Sequence, residues 1–123
     1  MKDEMNMVEL EFEIDTYKIH IFSRSPPSEK PTLAVITLWK DDTIRGYLHF
    51  YPDRILLPNP TYDKGPPERI RLRFHMYQFP IIVDILRNEK PLFIEYSEPP
   101  PTGILRSGKE PIGEEEKLFH PKE

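Results

Sequence analysis

Two stretches of the chain carry cations and aromatic rings at every second position, the spacing at which strand side chains share one face of a sheet. If Gly46, Leu48 and Phe50 face the core, their neighbours point outward together, and a similar alternation runs from residue 69 to 76. The predicted binding face comprises Arg45, Tyr47, His49, Tyr51, Arg69, Arg71, Arg73 and His75. Cations bind phosphates and rings stack on unpaired bases, so this composition predicts a surface for single-stranded nucleic acid.

The first strand offers these cations a partner within the protein. Residues 8–15 alternate strictly between apolar and acidic side chains, and the acids are Glu9, Glu11, Glu13 and Asp15. Their spacing equals that of Arg69, Arg71, Arg73 and His75, so neighbouring strands would pair acid with base, each contact contributing roughly 0.2–1 kcal/mol. The net charge of −4 also opposes nucleic-acid binding. From the sequence we therefore favour internal pairing of the two strands over a basic binding face.

Other chemistry has weaker support in the residue spacing. His20, His49 and His75 fall on outward phases of three separate strands, and no short paired-ligand motif directs them to one metal. Asp53, next to Pro52, is the one carboxylate that we single out as a candidate acid or base, although a turn role is expected for it. The chain has no nucleophile elbow, HExxH motif or glycine-rich phosphate loop. We predict no catalytic residue, metal or cofactor.

Length and composition exclude several classes of protein. A chain of 123 residues is long enough for one domain, and the absence of cysteine excludes disulfides, thiol catalysis and thiolate metal sites. No apolar segment has the length of a membrane span, so we predict a cytoplasmic protein with no membrane partner. We expect a globular β-rich domain at residues 1–108 and a charged, flexible tail at 109–123.

The periodicity predicts an α+β fold that is mainly antiparallel β, with about seven or eight short strands in a partly open barrel or sandwich. One α-helix is expected near residues 80–88, where Pro80 begins an apolar i, i+4 pattern. Residues 8–15 and 17–24 are expected to form one hairpin, and residues 32–39 and 43–51 a second. Further strands are predicted at 54–57, 69–76, 92–97 and 104–107.

These observations predict a small, non-catalytic binding or adaptor domain that engages a protein partner. Its contact surface would be an exposed strand face, the charged tail or a proline loop at 25–27 or 98–101. Two alternatives remain open at this stage. One is a single-stranded nucleic-acid-binding module, and the other is an uncharacterised enzyme with a pocket that gathers Asp53 and His49 or His75.

Overall fold

The part of the chain that the structure describes consists of two β-sheets and one helix. A computed structural model of the chain describes residues 7–24 and 31–112. Its elements are β1 (Val8–Ile14), β2 (Thr16–Ile21), β3 (Ala34–Lys40), β4 (Thr43–Tyr51), β5 (Thr61–Asp63), β6 (Arg69–His75), a 3-10 turn (Met76–Gln78), α1 (Phe79–Asn88), β7 (Leu92–Glu98) and β8 (Thr102–Ser107). The predicted α+β class with a mostly antiparallel sheet arrangement and a single helix is therefore confirmed.

The strands divide into a three-stranded sheet in the order β1-β7-β8 and a five-stranded sheet in the order β2-β3-β4-β6-β5. All neighbouring strands are antiparallel except β4 and β6, which run parallel. A parallel pair needs a long connection, and residues 52–68 supply it. Strand β5 lies within that connection and pairs with β6 on its outer side.

The core lies between the two sheets. Ile36, Leu48 and Phe50 of the five-stranded sheet are fully buried, as is Ile94 of the three-stranded sheet, and all four belong to one apolar cluster. Gly46 is a position where the layers approach closely. A Cβ at this position would lie 2.5 Å from Ile94 Cδ1 and 2.8 Å from the carbonyl oxygen of Ile70.

The helix α1 covers part of this core. Ile82 and Leu86, one turn apart, are its buried residues, as their i, i+4 spacing predicts. Phe79 at its first turn meets Phe50 edge-on, with ring centres 5.0 Å apart. Ile81 faces outward and is 65% exposed. No helix in the described part of the chain is long and apolar enough to cross a bilayer.

The hairpin of β3 and β4 is confirmed. Asp41 and Asp42 connect the strands with φ values of 50° and 68°. These angles give the two-residue turn whose twist matches antiparallel strands, and aspartate tolerates them better than most residues.

Three local predictions differ from the structure. The strands β1 and β2 do not form a hairpin, because the chain passes at Asp15 from one sheet to the other. Residues 54–57 form no strand, and Arg54 has a φ of 78°. Strand β5, inside the predicted irregular connection, was not expected. Most of the predicted tail (residues 113–123) and the whole proline loop at 25–27, together with residues 28–30, lie outside the described ranges.

Candidate nucleic-acid interface

The two halves of the predicted basic face lie side by side. Strand β6 is the direct parallel neighbour of β4, in a register that places Tyr47 opposite Arg71, His49 opposite Arg73 and Tyr51 opposite His75. Because side chains alternate between the faces of a strand, these six residues share the side of the sheet opposite the core. Arg69 joins them at the start of β6 and bonds through Nη1 to the hydroxyl of Tyr47, at 3.3 Å.

Arg45 was predicted to belong to the binding face, but it does not lie with the other predicted residues. The register of β3 and β4 shifts between Leu38 and Trp39, which leaves Arg45 as an extra, unpaired residue in β4. Bulges of this kind redirect a side chain. The Arg45 guanidinium lies over the ring of Phe12, with its carbon 3.6 Å from the ring centre, and Phe12 belongs to the other sheet.

The expected pairing of the acidic first strand with the basic strand is wrong. Strand β1 is in the three-stranded sheet and β6 is in the five-stranded sheet, so they are not neighbours. Glu11 instead pairs with Arg106 of β8, which also binds Glu95 of β7. Glu13 lies 3.7 Å from Lys40 Nζ. The basic strand therefore receives no neutralising charge from β1.

The net charge of the protein is thus distributed unevenly between the two sheets. Among strand residues that point away from the core, the three-stranded sheet carries Glu9, Glu11, Glu13, Glu95 and Arg106. The outward strand residues of the five-stranded sheet that carry charge are Lys18, Asp63, Arg69, Arg71 and Arg73. One sheet therefore presents a negative face and the other a positive face, so the overall charge of −4 does not describe the local field.

Hydroxyl and carbonyl groups hold the arginine side chains in place. Arg73 donates from Nη1 to the Tyr51 hydroxyl at 3.3 Å and from Nη2 to Thr61 Oγ1 at 3.1 Å. Its Nε donates to the carbonyl of Asn59 at 3.3 Å. The Arg71 guanidinium carbon lies 4.5 Å from the centre of the Tyr47 ring. This stacking orients the planar cation on the sheet.

Only one of these three arginines has a carboxylate partner within the described ranges. Arg71 forms an ion pair with Asp63 of β5, at 3.3 Å. Arg69 and Arg73 form no ion pair with any described residue, and both are half-buried. A half-buried cation without an opposite charge gains more from an anionic ligand than a fully solvated one does.

His49 lies beneath the arginines as a neutral ring. It is only 4% exposed, and its Nε2 accepts a bond from Arg71 Nη1 at 3.2 Å, since a guanidinium has no acceptor. Burial, and then the charges of Arg73 and Arg71, lower the pKa of His49 to about 4. The proton therefore lies on Nδ1, which is buried and has no hydrogen-bond partner among the described residues. Such a donor costs roughly 1–3 kcal/mol.

The aromatic residues of the face differ in accessibility. Tyr51 is 6% exposed and His49 is 4% exposed, so neither offers the free ring surface that a stacking platform requires. Tyr47 is half-buried, and Tyr77, just after β6, is 66% exposed and stacked on His75 at 5.8 Å. Sequence alternation correctly predicted the face of the sheet on which these rings lie, but it did not predict how deeply each ring is buried.

A cleft of about 250 Å³ adjoins the arginines on their β3 side. Phe22 and Tyr47 contribute rings to it, and the residues that complete its lining are His20, Val35, Thr37, His49 and Arg71. Phe22 follows β2 and is held by a bond from its N–H to the carbonyl of Leu33, at 3.0 Å. No pattern in the sequence marks Phe22, Thr37 or Val35 as site residues, because the cleft is formed by strand order.

A larger cavity, of about 740 Å³, lies at another part of the molecule, between the junction of β1 with β2 and the end of α1. Its charged lining residues carry both signs, with Glu13 and Asp15 near the β1–β2 junction and Arg87, Glu89 and Lys90 at the end of α1. None of the predicted site residues borders it.

The residues proposed for an enzyme bond to other groups of the protein and not to one another. Asp53 Oδ1 accepts a bond from the backbone N–H of Tyr77 at 2.9 Å, which is the expected structural role for a turn residue. His75 Nε2 donates to the carbonyl of Ile55 at 2.7 Å, whereas His49 bonds to Arg71. Within residues 7–24 and 31–112, no group of three or more histidine and acidic side chains is arranged to hold a metal ion.

Comparisons with protein-family models, with curated proteins and with solved structures find no match to this chain. The function must therefore be argued from the geometry of this face.

Proposed function

We propose that the protein is a single-stranded nucleic-acid-binding module that uses the outward face of its five-stranded sheet. One observation carries the proposal: Arg69, Arg71 and Arg73 lie in a row on β6, next to the ring of Tyr47, and two of the three have no carboxylate partner among the described residues. The sequence alone favoured a protein-binding adaptor, and the position of β6 beside β4 changes that preference.

The free hydrogen-bonding capacity of these arginines suits phosphate. A guanidinium has five N–H donors. Arg73 uses three of them on neutral acceptors and Arg69 uses one, so both retain donors for the oxygens of an anion. The neutral acceptors fix the guanidinium planes without cancelling their charge. An oriented cation of this kind loses less side-chain entropy when it binds a phosphate than a free one does.

The spacing of the row suits a chain of phosphates better than a single anion. Alternate residues of a strand lie roughly 6.6 Å apart, so the three guanidinium groups mark a track along β6. Aromatic rings lie beside the middle of this track, where the Tyr47 ring adjoins Arg71, and past one end, where the exposed Tyr77 follows His75. Cations that track a backbone beside rings that stack bases are what a sequence-tolerant single-strand binder requires.

Salt dependence of binding tests the proposal. Three phosphate contacts predict a slope of log K against log salt of about −2, so the affinity for a fluorescent twelve-nucleotide single strand should fall roughly 20-fold between 50 and 200 mM salt. In Arg73→Gln the slope should weaken to about −1.4, a roughly sevenfold loss over the same range. Arg87→Gln removes the same charge from the exposed face of α1 and should behave as the wild type does.

A strand affinity that does not change with salt, or a slope that Arg73→Gln and Arg87→Gln lower equally, would contradict the proposal. The second result would mean that the affinity reflects total charge and not a site on β6.

A second candidate function, binding of a protein partner, has one observation in its favour. Leu56, Tyr77 and Ile81 are 94%, 66% and 65% exposed, and the bonds of Asp53 and Ile55 hold the loop after β4 against the 3-10 turn next to α1. Exposed apolar side chains grouped at one end of a molecule are typical of protein contacts.

A photocrosslinking residue tests this second candidate. A photocrosslinking residue in place of Ile81 should give one discrete crosslinked protein. The same photocrosslinking residue in place of Glu9, which is exposed on the three-stranded sheet, serves as the control. The candidate fails if both positions crosslink to the same proteins or if Leu56→Asp leaves the product at position 81 unchanged.

A further inference from the structure

Arg69, Arg71 and Arg73 form the arginine row. The cleft beside this row is lined by the kinds of side chain that can bind one base. Its rings come from Phe22 and Tyr47, its apolar floor from Val35, which is 8% exposed, and its charge from Arg71. Register explains why these groups meet, because Thr37 pairs with Tyr47 and Tyr47 with Arg71 across three adjacent strands. Apolar surfaces for a ring and a cation for an adjoining phosphate therefore occur within one row of the sheet.

Two polar groups that line this cleft have no hydrogen-bond partner within the described part of the chain. Thr37 is a cleft residue whose hydroxyl forms no hydrogen bond with a described residue and is open to the solvent, so it can bond to a ligand. His49 is 4% exposed and its Nδ1 has no partner within the described part of the chain. Buried polar groups are almost always bonded in native proteins, so Nδ1 of His49 is a donor that lacks its expected acceptor, and the accessible hydroxyl of Thr37 adds a second donor on the same cleft. Nδ1 of His49 carries a proton and requires an acceptor, and the hydroxyl of Thr37 can donate as well.

The size of the cleft limits the ligand. Sites for drug-sized molecules occupy roughly 300–1,000 Å³, and this cleft of about 250 Å³ is smaller. A single ring with carbonyl oxygens on its edge satisfies both the size and the donors. Pyrimidine bases have that form, since each carries at least one ring carbonyl.

We propose that this cleft seats one pyrimidine base of the bound strand, between Phe22 and Tyr47, with its carbonyl edge toward Thr37 and an adjoining phosphate at Arg71. This inference rests on the proposed function and adds a base preference to it. The arginine row alone would bind any single strand equally. The cleft makes one position along the strand selective.

Three labelled dodecamers separate the two contributions: oligothymidine, oligoadenine and an abasic strand with the same number of phosphates. Stacking and hydrogen bonding of one seated base should make oligothymidine bind roughly tenfold more tightly than the abasic strand. Oligothymidine should also exceed oligoadenine by about threefold or more, because adenine has no carbonyl for the cleft donors.

The variants then assign the preference to the cleft. Thr37→Val keeps the shape of the side chain and removes the hydroxyl, and Phe22→Leu removes a ring. Each should reduce the ratio of oligothymidine to abasic affinity by about threefold or more and leave abasic binding within about twofold of the wild type. Thr16→Val makes the same substitution at the start of β2, outside the cleft, and should leave the ratio unchanged.

Equal binding of the abasic and thymidine strands by the wild type would overturn the base seat, as would a ratio that Thr37→Val does not alter. In both cases the arginine row would remain supported by its salt dependence. Failure of the proposed function has a different result, since no strand, abasic or not, would then bind with a steep salt dependence. Urea denaturation of each variant identifies any loss of fold, and the isosteric Thr37→Val carries the test if Phe22→Leu is unstable.

Discussion

Arg71 Nη1 lies 3.2 Å from Nε2 of His49, across the one parallel strand pair of the five-stranded sheet. Because the guanidinium can only donate, this contact requires a neutral imidazole. A protonated His49 would place a third cation beside Arg71 and Arg73 in a buried position. The stability of the sheet should therefore depend on the protonation of this one ring.

The first prediction concerns that dependence. The pKa of His49 is lowered from 6.5 to about 4 in the folded protein, so between these values only the unfolded chain takes up the proton. The contribution of the neutral His49 ring to the free energy of unfolding is complete above pH 6.5 and is lost as the pH falls toward 4. Between pH 7 and 5 the free energy of unfolding should decrease by roughly 2 kcal/mol more in the wild type than in His49→Gln.

Urea denaturation at several pH values measures this difference. His20→Gln, which changes an exposed histidine of the same face, should retain the wild-type dependence. If the free energy of unfolding changed with pH in the same way for the wild type and for His49→Gln, the lowered pKa of His49 would be contradicted.

The second prediction concerns Asp63, the carboxylate that pairs with Arg71. Asp63→Asn removes an anion that competes with phosphate for that guanidinium. The affinity for a single strand should increase about threefold at 50 mM salt, and the salt slope should stay near −2 because the same three phosphates are engaged.

Asp84→Asn on α1 removes the same charge at a distance and serves as the control. If both variants raise the affinity equally, the effect is one of net charge. Weaker binding by a folded Asp63→Asn would show that the carboxylate orients Arg71 for the ligand.

The third prediction concerns the packing of the two sheets. Gly46→Ala would place a methyl group 2.5 Å from Ile94 Cδ1 and 2.8 Å from a backbone oxygen, and the oxygen cannot move without disturbing β6. We expect a loss of roughly 1–3 kcal/mol in the free energy of unfolding, the usual cost of overpacking. A urea midpoint equal to that of the wild type would show that the sheets are less closely packed at this position.

Much of the fold could be predicted because it follows from local chemistry. Strict alternation predicted β1 and β6, the predicted hairpin of residues 32–39 and 43–51 placed the β3–β4 turn correctly, and Pro80 marked the start of α1 to within one residue. These features depend on neighbours in the sequence. The short strand β5 was missed because three residues between prolines carry no periodic signal.

The candidate site could be predicted only in part, because it depends on which strands are neighbours. Alternation correctly placed Tyr47 and Arg71 on outward faces but could not tell whether β6 lies beside β4 or beside β1. Charge complementarity favoured β1, and this was wrong because Arg106 and Lys40 neutralise its acids. The bulge that redirects Arg45 and the cleft at Thr37 also result from pairing between distant segments.

The central claim is that the outward face of the five-stranded sheet binds single strands, and mapping of backbone amide shifts tests it most directly. Titration of the labelled protein with oligothymidine should shift resonances mainly within residues 20–22, 35–37, 47–51, 61–63 and 69–75. Residues 8–14 and 102–107 of the three-stranded sheet should stay unchanged. Shifts confined to the three-stranded sheet, or none at a saturating strand concentration, would contradict the account.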